Sequence, residues 1–354
     1  MSPSQEGFLY PMVGDNCIHC GACVKQCPVN DNDVKADSIK QKGYLAITKK
    51  ARMYRLTASG GVFSTLAYAF LGEHPEGRVV GAAWQDGLVR HVMVSDIREL
   101  PGLANSKYVQ SDACGIYALV TKELKAGHPV LFSGTPCQVA ALKRFTHQNE
   151  KLTTIDLICH GVPSPLFLDN TIRALAPGAN VVGFRWKHAL LKKSACFLVC
   201  RRGRMRKAIF SQAAVPYFSL FSKNMSHRLS CYSCQFANLN RCGDITIGDC
   251  DSAASYPDFF PKLSKSTVIV NTPAGYNFWQ VHQTLFHTHP LDIQLEAKKN
   301  RPLSQPEQMP KERETIYADM LSLTYDEMVN KYGRKDPKIK SWLLRFLDLI
   351  PYTI

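Results

Sequence analysis

Four cysteines near the start of the chain, Cys17, Cys20, Cys23 and Cys27, stand at C-x2-C-x2-C-x3-C, and Pro28 follows them. Thiolates this close in sequence wrap one loop around one metal centre. Gly21 and Ala22 are small enough to let the backbone approach the sulfurs, and Pro28 turns the chain away. The spacing is that of bacterial 4Fe-4S loops, whereas zinc sites usually show two separated C-x2-C pairs. In proteins with two such clusters the fourth cysteine of each run ligates the other cluster. This chain has a single run. Three arrangements stay open: a start shortened relative to relatives, a partner chain supplying the other half, or Cys27 bending back to close its own cluster.

A second group is dispersed. Cys231 and Cys234 form a C-x2-C pair, which is half a site. Cys137 follows an apolar strand pattern and a Gly134-Thr135-Pro136 turn, so it falls in the first turn of a predicted helix, where the helix dipole favours a thiolate. Cys159 ends the strand pattern TTIDLIC, with His160 and Gly161 after it. Two thiols from strand ends and two from one loop make a plausible four-thiolate set, with Cys242 competing for a place and Cys250 a further thiol nearby in sequence. His160 has no carboxylate partner identifiable in the sequence and is expected to bond a carbonyl rather than to act as acid or base. Cys114, Cys196 and Cys200 are expected to pack as small apolar residues. Thr57-Ala58-Ser59-Gly60-Gly61 precedes an apolar helix pattern. Paired glycines before a helix start suit a phosphate, and a simple N-cap by Ser59 explains the same residues equally well.

The elements that must hold these groups follow from the hydrophobic pattern. Strands are expected at 78–84, 130–133, 153–159, 197–200, 244–249 and 266–271. Helices are expected after Gly61, after Thr135-Pro136, over 164–176 and 213–223, and after Thr272-Pro273. Interleaved strands and helices predict an α/β fold, a mixed sheet flanked by helices, and ligands at its strand ends. The turn RRGR at 201–204 predicts a hairpin. Three units are expected: a ferredoxin-like arm at 1–50, a core domain at 51–300, and a linker with a helical tail at 301–354. In the tail two amphipathic helices are expected over 313–350, with WLLRFLDLI at 342–350 packing on its own domain.

Composition sets the class. The 354 residues are 45% hydrophobic and 20% charged, which is globular, and the net charge of +14 favours anionic partners. The start has no basic region followed by an apolar core, and no uncharged apolar run reaches about eighteen residues. A cytoplasmic protein without a transmembrane segment is expected. In a reducing compartment thirteen cysteines point to metal or redox work rather than disulfides.

Six ordered motifs then carry a resemblance: EGFLYP before the cysteine run, SGGVFSTLA (59–67), SKYVQSD (106–112), LFSGTPCQVAAL (131–142), DLICHGVPSP (156–165), and CYSCQFA with RCGDITIGD (231–249). Over residues 6 to 280 the chain resembles the coenzyme F-420 hydrogenase/dehydrogenase beta-subunit family. The resemblance implies an iron–sulfur flavoprotein oxidoreductase that binds FAD and one or two 4Fe-4S clusters. Its partner is a ferredoxin or a partner redox subunit, and its characterised branch exchanges hydride with coenzyme F-420. It implies Ser59, Gly60, Gly61, Ser106, Lys107, Tyr108, Gly134 and Thr135 as flavin-site residues, with Lys107 against the flavin phosphate or the N1–C2=O edge. Cys137, Cys159, Cys231 and Cys234 become core-cluster ligands, and Cys17, Cys20, Cys23 and Cys27 the arm's.

The chain departs from that pattern in three ways. It carries one ferredoxin run where relatives carry two, reads Asp249-Cys250-Asp251-Ser252 where many relatives read Asp-Phe-Trp-Gly, and has Cys242 where a small residue is usual. Many relatives with its CHGVPSP variant belong to bacterial surface-polysaccharide gene sets. Two other classes stay open: an electron relay without its own substrate, and a zinc-stabilised nucleic-acid-binding protein. The ferredoxin run speaks against the second, and no nucleic acid is expected. The basic hairpin, with Lys192, Lys193, Arg201, Arg202, Arg204, Arg206 and Lys207, is read as a charge-protected edge strand, or as a dock for an acidic ferredoxin.

Overall fold

The computed structural model describes residues 1–30, 39–178, 180–187, 194–202, 205–209 and 216–333. In chain order the elements begin with β1 (Ser2–Pro3), β2 (Leu9–Tyr10), α1 (Ala22–Gln26), β3 (Lys42–Thr48), α2 (Ala51–Leu56) and α3 (Val62–Glu73). Next come β4 (Arg78–Gln85), β5 (Leu88–Val94), α4 (Ile116–Lys125), β6 (Val130–Gly134), α5 (Pro136–Phe145), β7 (Leu152–Leu157) and α6 (Pro165–Leu175). The strands β8 (Asn180–Lys187), β9 (Ser194–Arg202) and β10 (Met205–Ile209) precede α7 (Pro216–Ser222), β11 (Ile245–Asp249), β12 (Ser266–Val270) and α8 (Pro273–His282). The chain continues through β13 (Phe286–Pro290), α9 (Ile293–Lys299), α10 (Arg313–Ser322) and α11 (Tyr325–Tyr332).

Eight strands form the main sheet in the order β13-β3-β12-β11-β7-β6-β4-β5. Its centre, β4-β6-β7-β11, is parallel, and its remaining pairs are antiparallel. The fold is therefore α/β with a mixed sheet flanked by helices. Every residue of β6 is buried, as a central strand covered on both faces requires. On one face Val62, Leu66 and Phe70 of α3 and Trp279 of α8 pack with Val79, Leu131, Ile155 and Val268. On the other, Ile116, Val120 and Leu124 of α4 and Val139 and Leu142 of α5 cover Val80, Val130 and Phe132. A third cluster joins α6, α7, α10 and α11 around Phe8, so the EGFLYP segment is core.

Strand β3 lies before residue 50 and is a full member of the sheet, so the expected arm boundary falls after a core strand. The expected hairpin at 201–204 is the antiparallel β9–β10 pair, within a three-stranded sheet with β8. The side chains of its basic residues lie outside the described residues, as do Cys196, Cys200 and the segment 342–350. No described helix is long and apolar enough to cross a membrane.

Candidate functional site

The parallel strands bring their carboxyl ends to one place. A cavity of about 410 Å³ opens there, lined by Gly134 at the end of β6, Cys159 just past β7, and Gly248 and Asp249 at the end of β11. This is where open α/β sheets place ligands, and the volume is that of a small-molecule site.

Cys137, Cys159, Cys231 and Cys234 all line this cavity. They come from the first turn of α5, from the loop after β7 and from the loop after α7. Burial pushes the Cys231 thiol up to about 12 and raises Cys159 and Cys234 as well, and the neighbouring cysteines add to each shift. Thiols in such surroundings ionise when a metal ion shares the space. Among the described residues no three Cys, His, Asp or Glu groups stand close enough to hold a single ion. Four thiols lining one cavity are the ligand number that a 4Fe-4S cluster or a tetrahedral zinc ion takes.

Cys242 and Cys250 are placed elsewhere. Cys242 is buried in the apolar cluster of α4 and α5. The Cys250 sulfur lies 3.4 Å from Glu296 Oε2, and neither thiol lines the cavity. Cys114 corrects an expectation, because it is exposed rather than packed. It sits in the turn before α4, where its N–H donates to Asp112 Oδ1 at 2.9 Å.

Among the flavin candidates, Ser59, Gly61, Ser106, Lys107, Tyr108, Gly134 and Thr135 line the cavity and Gly60 does not. Gly60 packs behind it, where an added Cβ would come 2.0 Å from Ala46 O. Gly61 has φ +77° and is itself the N-cap of α3, so Ser59 is not the cap. The Ser59 hydroxyl bonds Asp249 Oδ1 instead. Lys107 Nζ donates to Ala104 O at 2.7 Å, and burial pushes its ammonium down to about 7. Tyr108 packs on Phe221, their ring centroids 5.1 Å apart. His160 is exposed at the cavity rim and, among the described residues, does not make the carbonyl bond expected of it.

Sequence reasoning missed several residues. Arg228 lines the cavity, stacks over Tyr10 at 4.0 Å, and has a buried Nε without a partner among the described residues. Asn105 likewise brings a buried, unpartnered Oδ1 to the cavity wall. Such orphaned polar atoms fit a bound polar group. Pro302, Gln305, Pro306 and Glu307, read as linker, form part of the wall. His91, Ser111 and Gln138 also line it. Ser111 and Gln138 stood inside two of the six motifs, whereas His91 carried no signal, and its strand β5 was not among those expected.

The arm cysteines are separate. Cys17, Cys20 and Cys23 are exposed, Cys27 is half-buried, and none lines the cavity. The arm touches the core through α1 against α5, where Arg144 Nη2 donates to Lys25 O at 2.6 Å.

Residues 127–293 match the family described as the C terminus of the coenzyme F420 hydrogenase/dehydrogenase beta subunit. Cys137, Cys159, Cys231 and Cys234 all fall inside that match, while the glycine loop at 59–61 and the Ser106-Lys107-Tyr108 segment precede it. Among solved structures, a chain of the xenon-derivatised F420-reducing NiFe hydrogenase complex from Methanosarcina barkeri is similar to this chain. The two share the fold over 86% of this chain and 98% of that one, with a TM-score of 0.51 and 14% identity. No curated protein matches. The matched segment, which holds the four cavity cysteines, is similar to the C terminus of the coenzyme F420 hydrogenase/dehydrogenase beta subunit, and the fold is shared with a chain of the F420-reducing hydrogenase complex.

Proposed function

We propose that the chain is an iron–sulfur flavoprotein oxidoreductase that passes electrons between 4Fe-4S clusters and a flavin. One observation carries the reading: thiols from three separate segments meet in one cavity that also presents a Ser59-Gly61 loop, a desolvated lysine and strand-end backbone. Cys137, Cys159, Cys231 and Cys234 would hold the core cluster. Cys17, Cys20, Cys23 and Cys27 would hold a second one on the arm. Bound flavin supplies the exchange between single electrons and hydride. The chain's own work is positional and electrostatic. Lys107 offers a cation to an anionic or electron-rich edge, Tyr108 and Phe221 give an aromatic wall, and the apolar lining keeps water away. Coenzyme F-420, named in the family description, is the first two-electron partner to test.

The neighbouring structure is a hydrogenase complex, and this supports a partner redox subunit or a ferredoxin here. Met12, Val13 and Ile18 are 69%, 74% and 83% exposed beside the arm cysteines, a surface suited to such a partner. The arm, core and tail divide the work in this reading, with β3 assigned to the core.

The test is anaerobic purification with iron, sulfide and flavin quantified, followed by EPR of the reduced protein. Cys137→Ala is expected to abolish the core cluster's signal and remove about four iron atoms per chain. Unchanged iron content and spectrum would sink the ligand assignment.

A further inference from the structure

A directed chain of hydrogen bonds runs from the buried face of β5 to the Cys137 sulfur. His91 is stacked on Phe132, with ring centroids 5.4 Å apart and planes 13° from parallel. Its Nε2 lies 3.2 Å from Ser133 O, a carbonyl that only accepts, so Nε2 carries the proton. Burial lowers the imidazole to about 4, which keeps it neutral and leaves Nδ1 an acceptor. Ser111 Oγ, 3.1 Å from Nδ1, donates to it. A hydroxyl has one hydrogen, so Ser111 can only accept from Gln138 Nε2 at 3.0 Å. That turns Gln138 Oε1 toward Thr135, where it accepts the Thr135 N–H at 3.0 Å and lies 3.0 Å from the Thr135 hydroxyl. The same hydroxyl oxygen is 3.1 Å from Cys137 Sγ.

The Thr135 hydrogen therefore has two acceptors within reach. When Cys137 is a thiol, the sulfur donates and Thr135 donates onward to Gln138. When the sulfur is a metal-bound thiolate it only accepts, and the Thr135 hydrogen turns to it while Gln138 keeps the Thr135 N–H.

We propose that Thr135 is a positioning residue of the core site, donating its hydroxyl hydrogen to the Cys137 sulfur, and that Gln138, Ser111 and His91 hold it there. This rests on the reading of Cys137 as a cluster ligand. A hydrogen bond to a ligand sulfur stabilises the extra negative charge of the reduced cluster, and such bonds help set cluster potentials. Thr135 also stands at the N-cap of α5, so its loss has a structural cost that must be separated from this effect.

The experiment is an EPR-monitored redox titration of the anaerobically purified protein, with iron counted in each sample. Thr135→Val is expected to move the core cluster's reduction potential to a more negative value with iron content unchanged. Thr135→Ser, which restores the hydroxyl, is expected to return it to the wild-type value. Ser111→Ala, which cuts the chain away from the helix cap, is expected to move the potential in the same direction by less. A Thr135→Val protein with full iron and the wild-type potential overturns the inference and leaves the proposed function standing. Wild-type protein that binds no iron overturns both.

Discussion

At the scale of single residues, two buried groups outside the cavity lining have consequences that stability measurements can read. Arg313 is 1% exposed. Its Nη atoms reach both Glu6 oxygens at 2.8 and 2.7 Å, and its Nε donates to His227 O at 2.8 Å. A fork of this kind ties the first segment to α10. Arg313→Ala strands the Glu6 carboxylate and opens a gap, and breaking a buried pair costs about 3–5 kcal/mol. Glu6 is partly solvated, so the loss should fall near the lower figure, read as a fall in the urea midpoint. A midpoint equal to wild type would show that the fork holds nothing. Glu296 offers a pH-dependent case. Burial alone would raise its pKa, but bonds from the Ser252 hydroxyl, Asn300 and the Ser252 and Asp251 N–H groups outweigh it and hold the carboxyl below the usual range. A folded pKa below the unfolded value of about 4.3 contributes stability above that pH, and this is lost as pH falls through the folded value. Glu296→Gln should cost about 1–3 kcal/mol at pH 7, with the gap to wild type narrowing below about pH 4. A gap that stays constant across that window would count against the carboxylate's role.

At the scale of elements, α5 does two jobs. Cys137 stands in its first turn, and Arg144, about 10 Å further along the axis at 1.5 Å per residue, holds the arm through Lys25 O. The arm's own helix α1 buries no residue, so it has little else to hold it. Arg144→Ala should leave global stability within about 1 kcal/mol while tryptic cleavage after Lys25 speeds up, followed by mass spectrometry. Unaltered cleavage would mean that the arm is fixed by other contacts. This helix was legible in sequence because Gly134-Thr135-Pro136 marks its start after an apolar strand. Strands β4, β6, β7, β11 and β12 were legible for the same reason, as apolar runs between turn residues. Strand β3 was not, because it follows a polar stretch and its partners, β12 and β13, lie more than two hundred residues downstream. Strand-end logic pointed to Cys137 and Cys159 and the C-x2-C spacing to Cys231 and Cys234, and all four line the cavity. The chain through His91 was not legible, since a lone histidine in a strand carries no sign of what it will face. Cys114 was misread because composition cannot tell a packed thiol from one in an exposed turn.

At the scale of the whole molecule, eight of the thirteen cysteines fall into two groups, one lining the cavity and one on the arm. Cys137, Cys159, Cys231 and Cys234 face the cavity at the sheet's strand ends, whereas Cys17, Cys20 and Cys23 are exposed on the arm. Sites without shared partners respond to substitution independently, to within about 0.5 kcal/mol. Among the described residues the cysteine run meets the core through α1 against α5 and not at the cavity, so altering it should leave the cavity's geometry as it was. Changing Cys17, Cys20 and Cys23 together to Ala is therefore expected to remove about four iron atoms per chain and leave flavin content, the core EPR signal and the urea midpoint unchanged. The complementary Cys137→Ala protein should keep the arm's iron. If losing the arm cysteines also strips flavin or core iron, the two groups of thiols form one assembly, and a picture of two separately loaded sites joined by α5 is wrong.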